Sequence, residues 1–217
     1  MGTSGSGFHV FAYLKKYSTS AMGFDDQEPE FNETRFQKCD WSEYYPSVSE
    51  AIPPIAPEVR GKSVTMLCFV DADHAGCQAT RRSQTGILIY VNRAPILWFS
   101  KRQNTVETST FGSEFVAARI AVEMVEGLWY KLRMMGVQVD GPTNVFCDNA
   151  AVVMNMAKPE STLKKKHDAI AYHRVREAQA SGVIRIAKED GETNLSDVLT
   201  KSLPGPRFRT MMSFILW

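Results

Sequence analysis

Hydrophobic and polar positions follow two regimes, with a change near residue 63. Beyond that point, short apolar runs alternate with stretches of helical period. Residues 64–70 and 85–91 read as buried strands, and 94–100 as a third, with Asn92 and Arg93 as the turn between the last two. Phe115, Ala118, Val122, Val125, Trp129 and Leu132 recur at steps of three and four. They predict a helix over 111–135, closed by Gly136. A short strand follows at 144–147, a short helix at 149–156 stopped before Pro159, and a helix at 167–180 ended by Ser181 and Gly182. A fifth strand at 183–187 and a last helix at 195–201 complete the pattern. The order βββ-α-β-α-α-β-α describes an α/β fold, a five-stranded mixed sheet flanked by helices.

Upstream the pattern dissolves. Residues 8–16 look like the end of an amphipathic helix. Residues 24–60 hold five prolines, many acids and little periodicity, and read as an extended connection draped over the domain. The expected organisation is a largely irregular 1–60, a domain over 61–204 and a tail over 205–217.

Composition refines this picture in two respects. Formal charge is −4 over residues 1–60 and +5 over 61–217. A basic second part suits a polyanionic partner. None of the four cysteines forms a CxxC pair, so a zinc site is disfavoured; Cys68 and Cys147 sit in apolar runs as small core residues, and a reducing compartment fits. No apolar run reaches the length of a membrane helix, so no membrane partner is expected.

Four acids fall at telling places. Asp71 follows the first strand and Asp148 the fourth, Glu114 opens the long helix, and Asp197 starts the last one behind Asn194, a plausible N-cap. Ligands of α/β sheets gather beyond strand ends near a switch in strand order. Mg²⁺ prefers carboxylate and water oxygens, and two such ions can clamp a phosphodiester displacement. Any one of these acids alone is more often a turn former or helix cap. The weight lies in four of them converging.

Longer segments carry a resemblance. FVDADHAG (69–76), TRRSQTG (80–86), APILWFSK (94–101), QNTVETS (103–109), SEFVA (113–117), CDN (147–149), KKH (165–167), AYHRVRE (171–177) and NLSDVLTK (194–201) resemble, in order and spacing, the ribonuclease H domain of copia-type retrotransposon polyproteins. Residues 8–16 are similar to the end of the thumb of the reverse transcriptase in those polyproteins, and 36–54 to the connection before the nuclease. The polymerase palm is absent, so polymerisation by this chain is not expected.

The resemblance implies a ribonuclease H-like fold and an endoribonuclease that degrades the RNA strand of RNA–DNA hybrids. It implies two Mg²⁺ ions, with Mn²⁺ as a substitute, held by Asp71, Glu114, Asp148 and Asp197. Asp73 rivals Asp71; Asp71 is preferred because it directly follows the apolar run. The histidine that many cellular ribonucleases H carry before the last acid is missing from residues 189–194. Implied partners are the hybrid and the polymerase domain of the same polyprotein, inside the cell, in the cytoplasm or virus-like particles. Two alternatives stand: a non-catalytic fragment that binds hybrid or packs on its polymerase, and a different nuclease of the same superfamily.

Arg81, Arg82, Lys101, Arg102 and Lys164–Lys166 are candidate phosphate contacts. Ser83, Thr85, Gln103 and Asn149 are candidate readers of ribose hydroxyls. Trp98 and Trp129 are expected in the core rather than as stacking platforms.

Overall fold

The computed structural model describes residues 15–50, 52–162 and 169–216. The strands are β1 (Met66–Ala72), β2 (Gln84–Val91), β3 (Ala94–Arg102), β4 (Thr143–Cys147) and β5 (Ile184–Lys188). The helices are α1 (Thr110–Met134), α2 (Ala150–Ala157), α3 (Ala169–Ala180) and α4 (Gly205–Met212), with 3-10 helices at Glu33–Arg35 and Leu195–Leu199. The sheet order is β3-β2-β1-β4-β5. β1–β2 and β2–β3 are antiparallel; β1–β4 and β4–β5 are parallel. This is the mixed sheet the pattern predicts, with the first and fourth strands side by side.

Alternation along each strand builds two apolar layers. Cys68, Val70, Ile87, Ile89, Val145 and Ile186 face α1 and its neighbours, where Phe115, Val122, Val125 and Trp129 complete the main core. Ser109 caps α1, its hydroxyl accepting from the Gly112 N–H at 3.2 Å. Past its other end Gly136 takes φ +77°, a conformation open to glycine. Cys68 and Cys147 lie buried in this core as free thiols, and burial pushes Cys68 up to about 12.

The opposite face carries Leu67, Phe69, Phe146 and Ala187, covered by Phe31 and Phe36 of the upstream segment. Phe36 and Phe146 have ring centroids 5.7 Å apart. Arg185 fastens this cover: its guanidinium lies over the Phe36 ring at 4.2 Å, donates to both Glu33 carboxylate oxygens at 2.5 and 2.7 Å, and reaches Asn144 Oδ1 at 2.6 Å. On the helical side, Glu50 pairs with Arg133, and Tyr45 Oη meets His173 Nδ1 at 2.8 Å. Apart from the 3-10 helix at Glu33–Arg35, the described residues between 24 and 60 are irregular, as their prolines dictate, and are anchored through Phe31, Glu33, Phe36, Tyr45 and Glu50.

Three details depart from the sequence reading. The last predicted helix is a five-residue 3-10 helix, and a further helix, α4, forms within the expected tail. Trp98 is 56% exposed, because β3 is an edge strand and this position points away from α1; Trp129 is buried as expected, its indole N–H donating to Thr143 Oγ1 at 2.8 Å. The helix expected over 8–16 lies outside the described residues except for Lys15 and Lys16, which are helical, and Lys164–Lys166 and His167 lie outside them altogether. Among the described residues, no helix is long and apolar enough to cross a membrane.

Candidate metal centre

β1 and β4 are paired in parallel up to Val70 and Cys147, so Asp71 and Asp148 come next at the same end of two neighbouring inner strands. Asp197 arrives from the 3-10 helix on the face opposite α1. Its approach is guided by Asn194, whose amide donates to the Val70 carbonyl at 3.1 Å while its Oδ1 accepts from Ser196 Oγ at 2.6 Å. Gly86, the register partner of Asp71, permits the contact: a Cβ there would lie 2.6 Å from Thr200 Cγ2 and 2.8 Å from the Ser196 carbonyl oxygen. Glu114 comes from the other layer. It is the fifth residue of α1, just past the first turn in which it was expected and one residue further in.

The four carboxylates therefore meet from four elements, on both faces of the sheet. Ligand atoms of Asp71, Asp148 and Asp197 all lie within 4.8 Å of one another, and so do those of Glu114, Asp148 and Cys147. Asp71, Glu114 and Asp197 are each at most 3% exposed, whereas Asp148 is half-buried.

Crowding this many acids has an electrostatic signature. Burial, then Asp71 and Asp148, push Glu114 up to about 9. Burial and Asp71 raise Asp148 as well, and burial drives Asp197 up to about 6. Glu114 Oε2 is buried with no hydrogen-bond partner, which costs on the order of 1–3 kcal/mol unless something binds it. An orphaned carboxylate oxygen beside three clustered oxygen donors fits a hard divalent cation. Cys147 fits less well as a ligand, since burial, then Glu114, raise its thiol well above the ordinary value.

Two basic side chains already touch the cluster. Lys201 Nζ lies 2.8 Å from Asp197 Oδ1 and 3.5 Å from Asp71 Oδ2. Arg207, on α4, lies 2.6 Å from Asp197 Oδ2. Thr200 Oγ1 donates to Asp71 Oδ2. Sequence reasoning singled out none of these three.

Asp73 is placed elsewhere. Its N–H donates to the Gln84 carbonyl at 3.0 Å, its Oδ1 accepts from the Gln84 N–H, and its carboxylate packs against Gly76. It closes the β1–β2 loop, which leaves Asp71 as the acid facing the other three.

The expected substrate contacts divide. Ser83 and Thr85 are fully buried, so neither presents a surface to a ligand. Ser83 Oγ accepts from the Ala75 N–H at 3.1 Å, and Thr85 Oγ1 accepts from Gln103 Nε2 at 3.0 Å. Gln103 is buried with them. Asn149 caps α2, accepting from the Ala151 and Val152 N–H groups. Arg81, Arg82, Lys101 and Arg102 are exposed and have no acidic partner among the described residues. Arg82 and Arg102 line an open polar cleft of about 380 Å³, bounded by Asp73, Gly76, Thr200 and Lys201, that adjoins the carboxylates.

No family model matches the chain. It is 29% identical over 156 residues to the retrovirus-related Pol polyprotein from transposon RE1 of Arabidopsis thaliana, covering 72% of this chain and 11% of that protein. It is 30% identical over 171 residues to the one from transposon TNT 1-94 of Nicotiana tabacum, covering 73% and 13%. The chain thus spans about a tenth of the length of these relatives. In fold it is similar to the N-terminal RNase H domain of a Mycobacterium tuberculosis protein (TM-score 0.50, 12% identity, 70% of this chain and 98% of that one). It is likewise similar to LC11-RNase H1 in complex with an RNA/DNA hybrid (TM-score 0.51, 17% identity, 63% and 94%). The chain is a homologue of the retrovirus-related Pol polyproteins of plant transposons, and its α/β domain has the ribonuclease H-like fold.

Proposed function

We propose that this chain is the ribonuclease H of a copia-type polyprotein, hydrolysing the RNA strand of RNA–DNA hybrids. The observation that carries the reading is the meeting of Asp71, Asp148 and Asp197 within 4.8 Å, beside the orphaned Glu114 oxygen, at the parallel strand ends of this fold. Asp71, Asp148 and Asp197 would hold one Mg²⁺, and Glu114 with Asp148 a second; bound there, the metal activates water and stabilises charge on the phosphoryl oxygens.

The chain's own groups supply the remainder. Asp148, half-buried, is the carboxylate most open to an incoming backbone, while the other three are sealed from bulk water. Arg82 and Arg102 hold backbone phosphate in the adjoining cleft, leaving the hybrid's sequence unread. The polymerase domain of the same polyprotein is the expected covalent neighbour.

The test is cleavage of labelled hybrid, duplex DNA and single-stranded RNA with Mg²⁺. The expected result is hybrid-specific RNA cleavage that Asp148→Asn lowers by roughly a hundredfold or more, the scale of losing one charge-stabilising group at a reaction centre. Cleavage that survives Asp148→Asn removes that residue from the role. Hybrid binding without cleavage establishes a non-catalytic module, and cleavage of duplex DNA alone a different nuclease.

A further inference from the structure

The two oxygens of Asp197 are held by two different cations, and these are not equivalent. Lys201 takes Oδ1 at 2.8 Å and leans toward Asp71 Oδ2 at 3.5 Å, so its ammonium stands between two members of the carboxylate cluster. Its side chain is 41% exposed, a compact charge on a flexible stem. Arg207 takes Oδ2 at 2.6 Å and is 23% exposed. The same guanidinium donates to the Gly191 carbonyl and lies 3.3 Å from Glu192 Oε2. A planar fork tied to a carboxylate, a backbone carbonyl and a second acid is fixed in place. The three partners span the 3-10 helix and the loop leading into it.

We infer that Arg207 is the positioning residue of Asp197. It pins Oδ2 from α4 and leaves Oδ1 for a divalent cation, while Lys201 is a place-holder that this cation displaces. The inference rests on reading the four carboxylates as a divalent-metal site. It also makes α4 part of the functional unit, although α4 lies beyond the last acid.

The test is Mn²⁺ binding to the full chain, followed by the paramagnetic signal of free Mn²⁺ and by thermal midpoints in EDTA and in Mn²⁺. Arg207→Gln is expected to weaken Mn²⁺ binding by about tenfold, the lower end for losing a group that orients a metal ligand. Arg207→Lys restores part of the loss. Lys201→Met is expected to tighten Mn²⁺ binding while lowering the midpoint in EDTA, because a competing internal charge is gone. Opposite signs for two neighbouring cations are not what a merely structural role for α4 gives. Wild-type affinity in Arg207→Gln overturns the positioning role, and weaker binding by Lys201→Met overturns the place-holder. A wild-type chain that binds no Mn²⁺ overturns the metal-site reading itself, and this inference with it.

Discussion

The side-chain amide of Gln103 donates to the Ser113 carbonyl at 2.8 Å, and the next residue is Glu114. The same Nε2 donates to Thr85 Oγ1 at 3.0 Å, so one buried group ties β2 and the approach to α1 into the helix turn that presents the acid. Gln103→Leu leaves buried Thr85 Oγ1 without its donor and removes the side-chain donor from the Ser113 carbonyl. The expected cost is about 1–3 kcal/mol in urea unfolding, with weakened Mn²⁺ binding because Glu114 loses its support. Unchanged stability would show that water replaces the amide without loss.

Glu114 gives the metal-free protein an unusual pH dependence. Its folded value stands near 9 against a usual 4.5, so between those limits the folded state keeps a proton that the unfolded chain has released. Stability is therefore full below about 4.5 and declines as pH rises toward 9. Asp197, raised from 3.8 to about 6, adds to the fall at the acid end of that window. Urea midpoints in EDTA should decrease from pH 5 to 9, Mg²⁺ should oppose the decrease, and Glu114→Gln should flatten it. Midpoints that rise with pH in EDTA contradict the burial of an uncompensated carboxyl.

Gly86 lies directly against the 3-10 helix. A Cβ there meets Thr200 Cγ2 at 2.6 Å and the Ser196 carbonyl at 2.8 Å, on either side of Asp197. Gly86→Ala is expected to push the 3-10 helix away from β2. The expected cost is about 1–3 kcal/mol, the scale of overpacking, together with weaker Mn²⁺ binding as Asp197 leaves Asp71. Loss of stability with unchanged metal affinity would show that the strand yields instead of the helix.

These relationships mark how far the sequence could be read. The strands and α1 are legible because period two and period 3.6 are local properties, as Phe115 through Leu132 show. Asp71, Asp148 and Asp197 are legible because each follows an apolar run or a cap such as Asn194. Which face a residue takes is not local: Ser83, Thr85 and Gln103 look like surface polar groups until strand pairing buries them, and Trp98 looks like core until β3 proves to be an edge. Arg207 was missed because α4 follows the last motif. Yet Pro204, Gly205 and Pro206, followed by Phe208, Met211 and Met212, carry the signal of a helix start with proline at its first positions.

Arg82 and Arg102 differ from most arginines of the chain in having no acidic partner among the described residues. Arg35, Arg93, Arg119, Arg133, Arg174, Arg185 and Arg207 all pair with acids. Arg82 and Arg102 instead face the cleft beside Thr200 and Lys201. A cation that contacts phosphate releases condensed counterions, so each contributes about one unit to the slope of log affinity against log salt. Arg82→Ala and Arg102→Ala should each weaken hybrid binding and flatten that slope by about 0.7–0.9, with turnover at saturating hybrid nearly unchanged. Titrations from low to moderate salt measure this directly. A slope that does not move assigns the phosphate contacts to other residues, Arg81 and Lys101 first among those described.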